Sequence, residues 1–174
     1  MSIDTLRRGI TLGAISSIGL LMAGTVSAQT LAAPTDKVIL TISGKISVTN
    51  SGDSAQFDRA ALEAMGLMTI ETNTPWYSGP QKFEGISLDK LMKSVGAKGD
   101  TVQAIALNDY TTEIPLEDFA KYNVILALKR NAEYMPIRDK GPLFIVYPYD
   151  SNPELRSQKF YSRSAWQVSK LIVR

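Results

Sequence analysis

Two stretches decide the fold: AIALNDYTTEIP, residues 104–115, and DKGPLFIVYPYD, residues 139–150. In each of them an apolar, strand-like run adjoins a polar cluster at the point where a strand should end. A strand end is rigid, and polar groups at its tip can face a ligand rather than the core. The two stretches therefore predict two strands whose tips form the floor of a binding site.

The rest of the chain predicts short strands and short helices without a regular βαβ alternation. We expect strands over residues 38–49 (two strands or one bent strand, with the bend at Gly44), 67–72, 102–107, 124–128, 143–147 and 166–173. Short helices are expected over residues 58–65, with Asp58 as N-cap, over 88–95 after Ser87, and over 116–122. Residues 50–53, 73–84, 129–133 and 150–158 read as turns or loops. The predicted fold class is α+β with mixed sheets, in one domain over residues 38–174 after a flexible lead-in at 29–37.

The N-terminal 28 residues have the features of a cleavable signal peptide. Arg7 and Arg8 precede an apolar run from residue 10 to 24, and VSA at 26–28 fits a small-residue cleavage site. The mature chain is then expected to begin at Gln29 and to be periplasmic or secreted. The arginine pair also resembles a twin-arginine leader, although its flanking residues fit that pattern poorly, so the general secretory route is preferred. An uncleaved N-terminal anchor is the other alternative.

The composition excludes several classes of partner and of chemistry. The chain has 19 basic and 17 acidic residues, and removal of Arg7, Arg8 and Asp4 with the leader leaves 17 and 16. This balance gives no electrostatic case for nucleic acid or for a membrane surface after leader cleavage. The chain has no histidine and no cysteine, which excludes a Ser-His-Asp triad, a cysteine nucleophile and an ordinary zinc or copper site.

The polar clusters supply the candidate binding residues, each with a structural alternative. Asn108, Asp109 and Tyr110 form either an Asx-type turn between two strands or a group whose carboxylate orients the tyrosine or holds a ligand. Residues 138–142 form either a solvated turn or an anion site made by Lys140 and free backbone N–H groups, so Arg138, Lys140 and Gly141 are candidates.

Aromatic and cationic residues outside these clusters complete the candidate set. Trp76 and Tyr77 lie in a segment rich in proline and glycine, where they either cover the core or close over a ligand. Arg163 would be costly to bury without an anionic partner, whereas Trp166 is expected in the core. A calcium loop at residues 150–154 is not predicted, because its spacing is wrong.

Several segments, in order, resemble the sulfite-oxidase-type molybdopterin-binding domain. The resemblance covers residues 38–174 and extends to small exported proteobacterial members of that family. The matching segments are FEGISL at 83–88 with Leu91, DYTTEIPL at 109–116, VILA at 124–127, Met135-Pro136, KGPLFIVYP at 140–148, and WQV at 166–168 with Ile172. The resemblance implies the family's fold and makes molybdopterin the candidate cofactor, with Tyr110 at the place of the family's active-site tyrosine.

Two departures from the family pattern bear on activity. In catalytic members a Cys-x-x-Asn segment gives a thiolate to molybdenum, but here TIETN occupies that place at residues 69–73. Lys140 stands where the family has a histidine. The resemblance therefore implies a non-catalytic module, without a cofactor or catalytic residue, that binds a small anionic or polar ligand or an exported sensor or redox partner protein. The alternative is an active molybdopterin-dependent oxidoreductase with a non-cysteine metal shell, for which Glu71 is a candidate ligand.

Overall fold

The computed structural model describes residues 30–174, and the predicted signal peptide, its arginine pair and its cleavage site lie outside them. Within the described part, no helix is both long enough and apolar enough to cross a membrane. Residues 30–174 fold into one α+β domain of ten strands, four α-helices and two 3₁₀ helices, built on one mixed sheet and one antiparallel sheet. The predicted fold class is confirmed.

Along the chain, two strands are followed by a helix, and the remaining strands are separated by short helices at irregular intervals. The strands are β1 Leu40–Gly44, β2 Ala55–Phe57, β3 Met68–Thr74, β4 Tyr77–Ser87, β5 Thr101–Ala106, β6 Thr111–Pro115, β7 Ile125–Arg130, β8 Glu133–Tyr134, β9 Phe144–Val146 and β10 Val168–Val173. The α-helices are α1 Arg59–Ala64, α2 Leu88–Ser94, α3 Glu117–Lys121 and α4 Gln158–Arg163, and the 3₁₀ helices are Ile137–Asp139 and Pro153–Leu155.

The first sheet has the strand order β2-β1-β10-β5-β6. β1 and β10 run parallel, with Thr41 opposite Lys170, and every other pair in this sheet is antiparallel. Leu40 and Ile42 on β1 are fully buried, so Thr41 and its partner Lys170 lie on the opposite face of the sheet.

The second sheet has the order β3-β4-β7-β8, and β9 pairs with β7 on the same edge as β8. β7 reads ILALKR, and its first four residues are buried, as expected for a strand covered on both faces. Burial of these residues, together with Phe144 and Ile145 on β9, places the chain's core between the sheets and the helices.

Both predicted helix caps are confirmed. A side-chain oxygen of Asp58 accepts the Ala61 N–H at 2.8 Å, and the Ser87 hydroxyl accepts the Lys90 N–H at 3.2 Å. Such caps satisfy backbone donors that have no partner inside the helix. The helices therefore begin where the sequence predicts, and α2 buries Leu88, Leu91 and Met92 on one face.

The prediction of a loop over residues 73–84 was wrong, because β4 runs through it from Tyr77 to Ser87. Gly79 and Pro80 lie where the β3–β4 register shifts, between the pairs Thr72–Gln81 and Thr74–Tyr77. In such a bulge a proline does not have to donate to the ladder, so the strand tolerates it. The predicted polar loop at 150–158 also gives way to a 3₁₀ helix and to the start of α4. The turn expected over 129–133 is shorter, since β7 continues to Arg130.

Candidate functional site

The residues around Trp76 form an aromatic cluster at the junction of the two sheets. Trp76 is at the tip of the β3–β4 hairpin, and its ring packs edge-on against those of Phe144 at 5.4 Å, Trp166 at 5.5 Å and Tyr161 at 5.9 Å between centroids. Edge-to-face packing of this kind adds stability beyond the buried area. The cluster therefore holds the indole ring of Trp76 against that of Trp166 and against Tyr161 of the helix α4.

A cavity of about 300 Å³ opens beside this cluster, and we call it the indole cavity. Its lining is aromatic and neutral, without a carboxylate, guanidinium or ammonium group, and consists of Pro75, Trp76, Asn108, Tyr110, Gln158, Tyr161, Ser162, Ser164 and Trp166. Its volume lies at the lower end of the range of small-molecule sites, about 300–1,000 Å³. The amide and hydroxyl groups among these residues can donate or accept hydrogen bonds to a polar ligand held between the rings.

The predicted Asn108–Tyr110 cluster forms one edge of the cavity and is an Asx turn. The Asn108 side-chain oxygen accepts the Tyr110 N–H at 3.2 Å, and Asp109 between them has a φ of 64°. The Tyr110 hydroxyl donates to the Ser162 carbonyl at 2.8 Å, which ties this turn to α4. The Asp109 carboxylate is exposed, makes no hydrogen bond to any residue in 30–174, and is not part of the cavity lining.

Lys140 does not line the cavity. Its backbone is left-handed, with a φ of 63°, and its Nζ lies 4.5 Å from the centroid of the Trp166 ring and 5.4 Å from that of Tyr77. A cation over an indole face is attracted by the ring's negative face. Gly141 after it is buried, and a Cβ there would collide with the Met135 carbonyl oxygen, so the loop needs glycine at this position.

Tyr77 belongs to a polar network beneath the hairpin. Its hydroxyl donates to Asp139 at 2.8 Å, and the other oxygen of that carboxylate binds Arg130 at 2.7 Å. Burial and the adjacent Asp139 carboxylate raise the pKa of Tyr77 well above its ordinary value. The Arg130 guanidinium also stacks 4.0 Å from the centroid of the Tyr77 ring. Tyr77 therefore holds the hairpin to the loop of Lys140 and does not line the cavity.

Arg138 and Arg163, the two arginines among the predicted ligand residues, lie away from the indole cavity. Arg138 is exposed in the 3₁₀ helix Ile137–Asp139. The Arg163 guanidinium lies 2.6 Å from the buried carboxylate of Asp118, which also accepts the Tyr147 hydroxyl at 2.9 Å. The anionic partner that Arg163 needs when buried is therefore supplied by the chain itself.

The sequence prediction missed the wall of the cavity that α4 provides. Gln158, Tyr161, Ser162 and Ser164 all line the cavity, and none of them was predicted. A signal was present: Ser157 precedes a run to the C-terminus without glycine or proline, and Phe160 in that run is buried. Trp166, expected in the core, is half-buried and forms another wall.

The family model described as "Oxidoreductase molybdopterin binding domain" matches residues 47–151, more than half of the chain. The chain belongs to this family. The predicted resemblance is confirmed, and the match includes Trp76, Asn108 and Tyr110 but ends before α4 and Trp166. Comparison with curated proteins gives no match.

The residues present do not fit the metal centre of the molybdopterin family. The segment at 69–73, which takes the place of the family's cysteine motif, supplies no thiolate. Glu71 within it is exposed on β3 opposite Lys82, and the Asn73 backbone and side-chain amides both donate to Asp150, at 2.6 and 2.9 Å. Within residues 30–174 no three histidine, cysteine or carboxylate side chains cluster in a way that could hold a metal ion. Molybdenum bound through a protein thiolate therefore has no donor in this member of the family.

Proposed function

We propose that this protein is an exported, non-catalytic member of the molybdopterin-binding-domain family that binds a small, polar ligand with a planar ring. The observation that carries the proposal is the indole cavity, in which two tryptophans and neutral hydrogen-bonding groups meet at the place of the family's active-site tyrosine. A planar ring can stack or pack edge-on against these aromatic walls. The amides of Asn108 and Gln158 would then orient its polar atoms.

The neutral lining favours the polar ligand over the anionic one. The two cations predicted to neutralise an anion are engaged elsewhere, since Arg163 pairs with Asp118 and Lys140 lies over the Trp166 ring. A charged ligand would lose its hydration in the cavity without gaining an opposite charge, which is unfavourable. The preferred ligand class is thus a neutral heteroaromatic compound with several hydrogen-bonding groups.

Tryptophan fluorescence tests this proposal directly, because both tryptophans of the chain line the cavity. A panel of purines, pteridines and isoalloxazines is titrated into the purified mature protein. We expect at least one of these ring systems to quench or shift the emission in a saturable way. If none does so at millimolar concentration, the proposal fails.

Gln158 gives the sharpest variant, because its side chain lines the cavity and makes no hydrogen bond to any residue in 30–174. Gln158→Ala should leave stability unchanged and weaken binding about threefold to tenfold, the loss of one hydrogen bond. Gln56→Ala is the matched control, since the Gln56 side chain lies on β2 outside the cavity lining and is also without a hydrogen bond in the described part. Equal weakening in the two variants would contradict the assigned site.

Export rests on the leader sequence and has its own test. We expect mass spectrometry of protein from the periplasmic fraction to place the N-terminus at Gln29. Replacing Arg7 and Arg8 with lysine should leave export intact, as the general secretory route requires. Loss of export in that variant would instead indicate the twin-arginine route, and an intact leader on the exported protein would indicate an anchor.

A further inference from the structure

A second cavity, of about 510 Å³, lies beside the first residues of β1 and shares no lining residue with the indole cavity. We call it the β1 groove. Its floor is formed by residues 37–41 and by Ser169 and Lys170 of β10, and its wall by residues of the loop 135–142. Its volume is within the range of sites that enclose a small molecule, about 300–1,000 Å³.

The β1 groove gathers apolar side chains that the fold leaves exposed. Val38, Leu107 and Ile137 retain 37%, 50% and 53% of their accessible surface, and they account for three of the seven exposed large hydrophobic residues in the described part. All three line this one groove, together with Ile39. Exposed apolar residues scattered singly need no explanation, but a contiguous group of them marks a binding surface.

The rim of the groove is cationic. Lys37, Arg59 and Lys170 line it, no carboxylate does, and none of the three makes a salt bridge with any residue in 30–174. The Arg59 guanidinium stacks 4.2 Å from the centroid of the Tyr134 ring, which holds it beside the groove.

Asp36, next to Lys37 in the chain, and Glu63, one helical turn after Arg59, both have other partners. Glu63 accepts the Tyr134 hydroxyl at 2.7 Å and lies 3.5 Å from the Lys129 ammonium group. The Asp36 carboxylate accepts the Lys37 backbone N–H at 2.7 Å. The groove thus combines an apolar interior with a positive rim, which complements a molecule that has an apolar tail and an anionic head.

The wall of the groove is fixed in place before any ligand arrives. Gln167, just before β10, donates from its side-chain amide to the Ile137 carbonyl at 2.7 Å and from its backbone to the Lys140 carbonyl at 3.0 Å. The Leu107 N–H in turn donates to the Gln167 carbonyl at 2.9 Å. A preformed wall reduces the entropy that a ligand must lose on binding, because the loop does not have to order around it.

From this combination we propose that the β1 groove binds a fatty acid or a similar acyl monocarboxylate, with its tail on Val38, Leu107 and Ile137 and its carboxylate toward Lys37, Arg59 and Lys170. The site is independent of the indole cavity, so either can fail without the other. Because no tryptophan lines the groove, occupancy is measured by calorimetry and native mass spectrometry rather than by intrinsic fluorescence.

Laurate is the probe, titrated below its micelle concentration into the mature protein, with lauryl alcohol as the neutral probe of the same length. We expect one saturable laurate site. The affinity for the alcohol should be at least about fivefold lower, because each exposed charge pair changes an affinity by up to about a factor of five. Ile137→Asn should weaken laurate binding about tenfold through lost apolar contact. The double variant Lys37→Gln/Lys170→Gln should weaken laurate binding about fivefold and leave binding of the alcohol unchanged.

Matched controls separate the groove from nonspecific effects. Leu67→Asn changes another exposed apolar residue (38% exposed), and Lys98→Gln another exposed lysine, both outside the groove lining. Neither should alter laurate binding. The proposal is overturned if laurate shows no saturable site, if the alcohol binds as tightly as laurate, if the controls weaken binding as much as the groove variants, or if an acidic peptide binds there and laurate does not.

Discussion

The buried ion pair between Arg163 and Asp118 gives a quantitative prediction, because a second ion pair serves as its control. The Arg163–Asp118 pair spans 2.6 Å, and its side chains are only 17% and 6% exposed. The Arg156–Asp150 pair spans 2.7 Å, but its side chains are 54% and 30% exposed. The two pairs therefore differ mainly in burial, and replacing each arginine with methionine tests what burial adds.

Arg163→Met leaves the Asp118 carboxylate buried with the Tyr147 hydroxyl as its remaining side-chain partner. Removing one member of a buried pair typically costs about 3–5 kcal/mol, because the other charge stays desolvated. Part of the Arg163 side chain reaches solvent, so we expect a loss of about 3 kcal/mol in the free energy of unfolding. For a domain of this size such a loss lowers Tm by about 6–12 °C. Arg156→Met should cost about 0.5 kcal/mol, as exposed pairs do.

Urea unfolding of the two variants and of the unchanged protein is monitored by circular dichroism, and the slope m is compared among the three proteins. The same experiment decides whether Arg163 is a ligand contact, as the sequence predicted, or a structural residue. If Arg163→Met and Arg156→Met lower stability equally within about 0.5 kcal/mol, the assignment of Arg163 to a buried structural pair is refuted.

Three further predictions follow from individual contacts. The Ala61 N–H, with other backbone donors, holds the pKa of the Asp58 carboxyl below its ordinary value. The contribution of Asp58 to stability is therefore present above about pH 4 and is lost as pH falls through the folded pKa. Asp58→Asn should flatten the fall of Tm with acidification. Burial raises the pKa of the Tyr147 hydroxyl, so its contribution to stability is present below about pH 10 and is lost as pH rises through the folded pKa. Alkaline unfolding ionises this tyrosine and adds to the phenolate absorbance at roughly 295 nm. Tyr147→Phe should remove one tyrosine's share of that absorbance step. Gly141→Ala drives a methyl group into the Met135 carbonyl and should cost about 2 kcal/mol in urea unfolding, whereas an unchanged midpoint would contradict the tight contact.

Local sequence signals predicted those parts of the fold in which one residue acts on its immediate neighbours. Asp58 and Ser87 cap helices through contacts three residues away, and the alternation in β5 buries Val102 and Ala104 as expected. The β4 strand was missed because Gly79 and Pro80 are loop residues by local preference. The strand tolerates Gly79 and Pro80 because its pairing with β3 contains a bulge at this point. That pairing cannot be read from the sequence of β4 alone.

The candidate site was predicted in part for the same reason. The Asx turn at Asn108 and the hairpin residue Trp76 carry local signals, and both line the indole cavity. The distant partners could not be predicted: Arg163 is neutralised by Asp118, 45 positions away, and α4 closes the cavity through Tyr161. Which charges are free for a ligand is decided by these long-range pairs, and a single sequence does not reveal them.

Molybdenum content, measured by elemental analysis of protein purified from its native host, tests the central claim most directly. A non-catalytic family member without a thiolate donor should carry molybdenum far below one atom per chain, and the same should hold for Glu71→Gln. One molybdenum atom per chain, lost on Glu71→Gln, would contradict this account and establish an oxidoreductase with a carboxylate metal ligand.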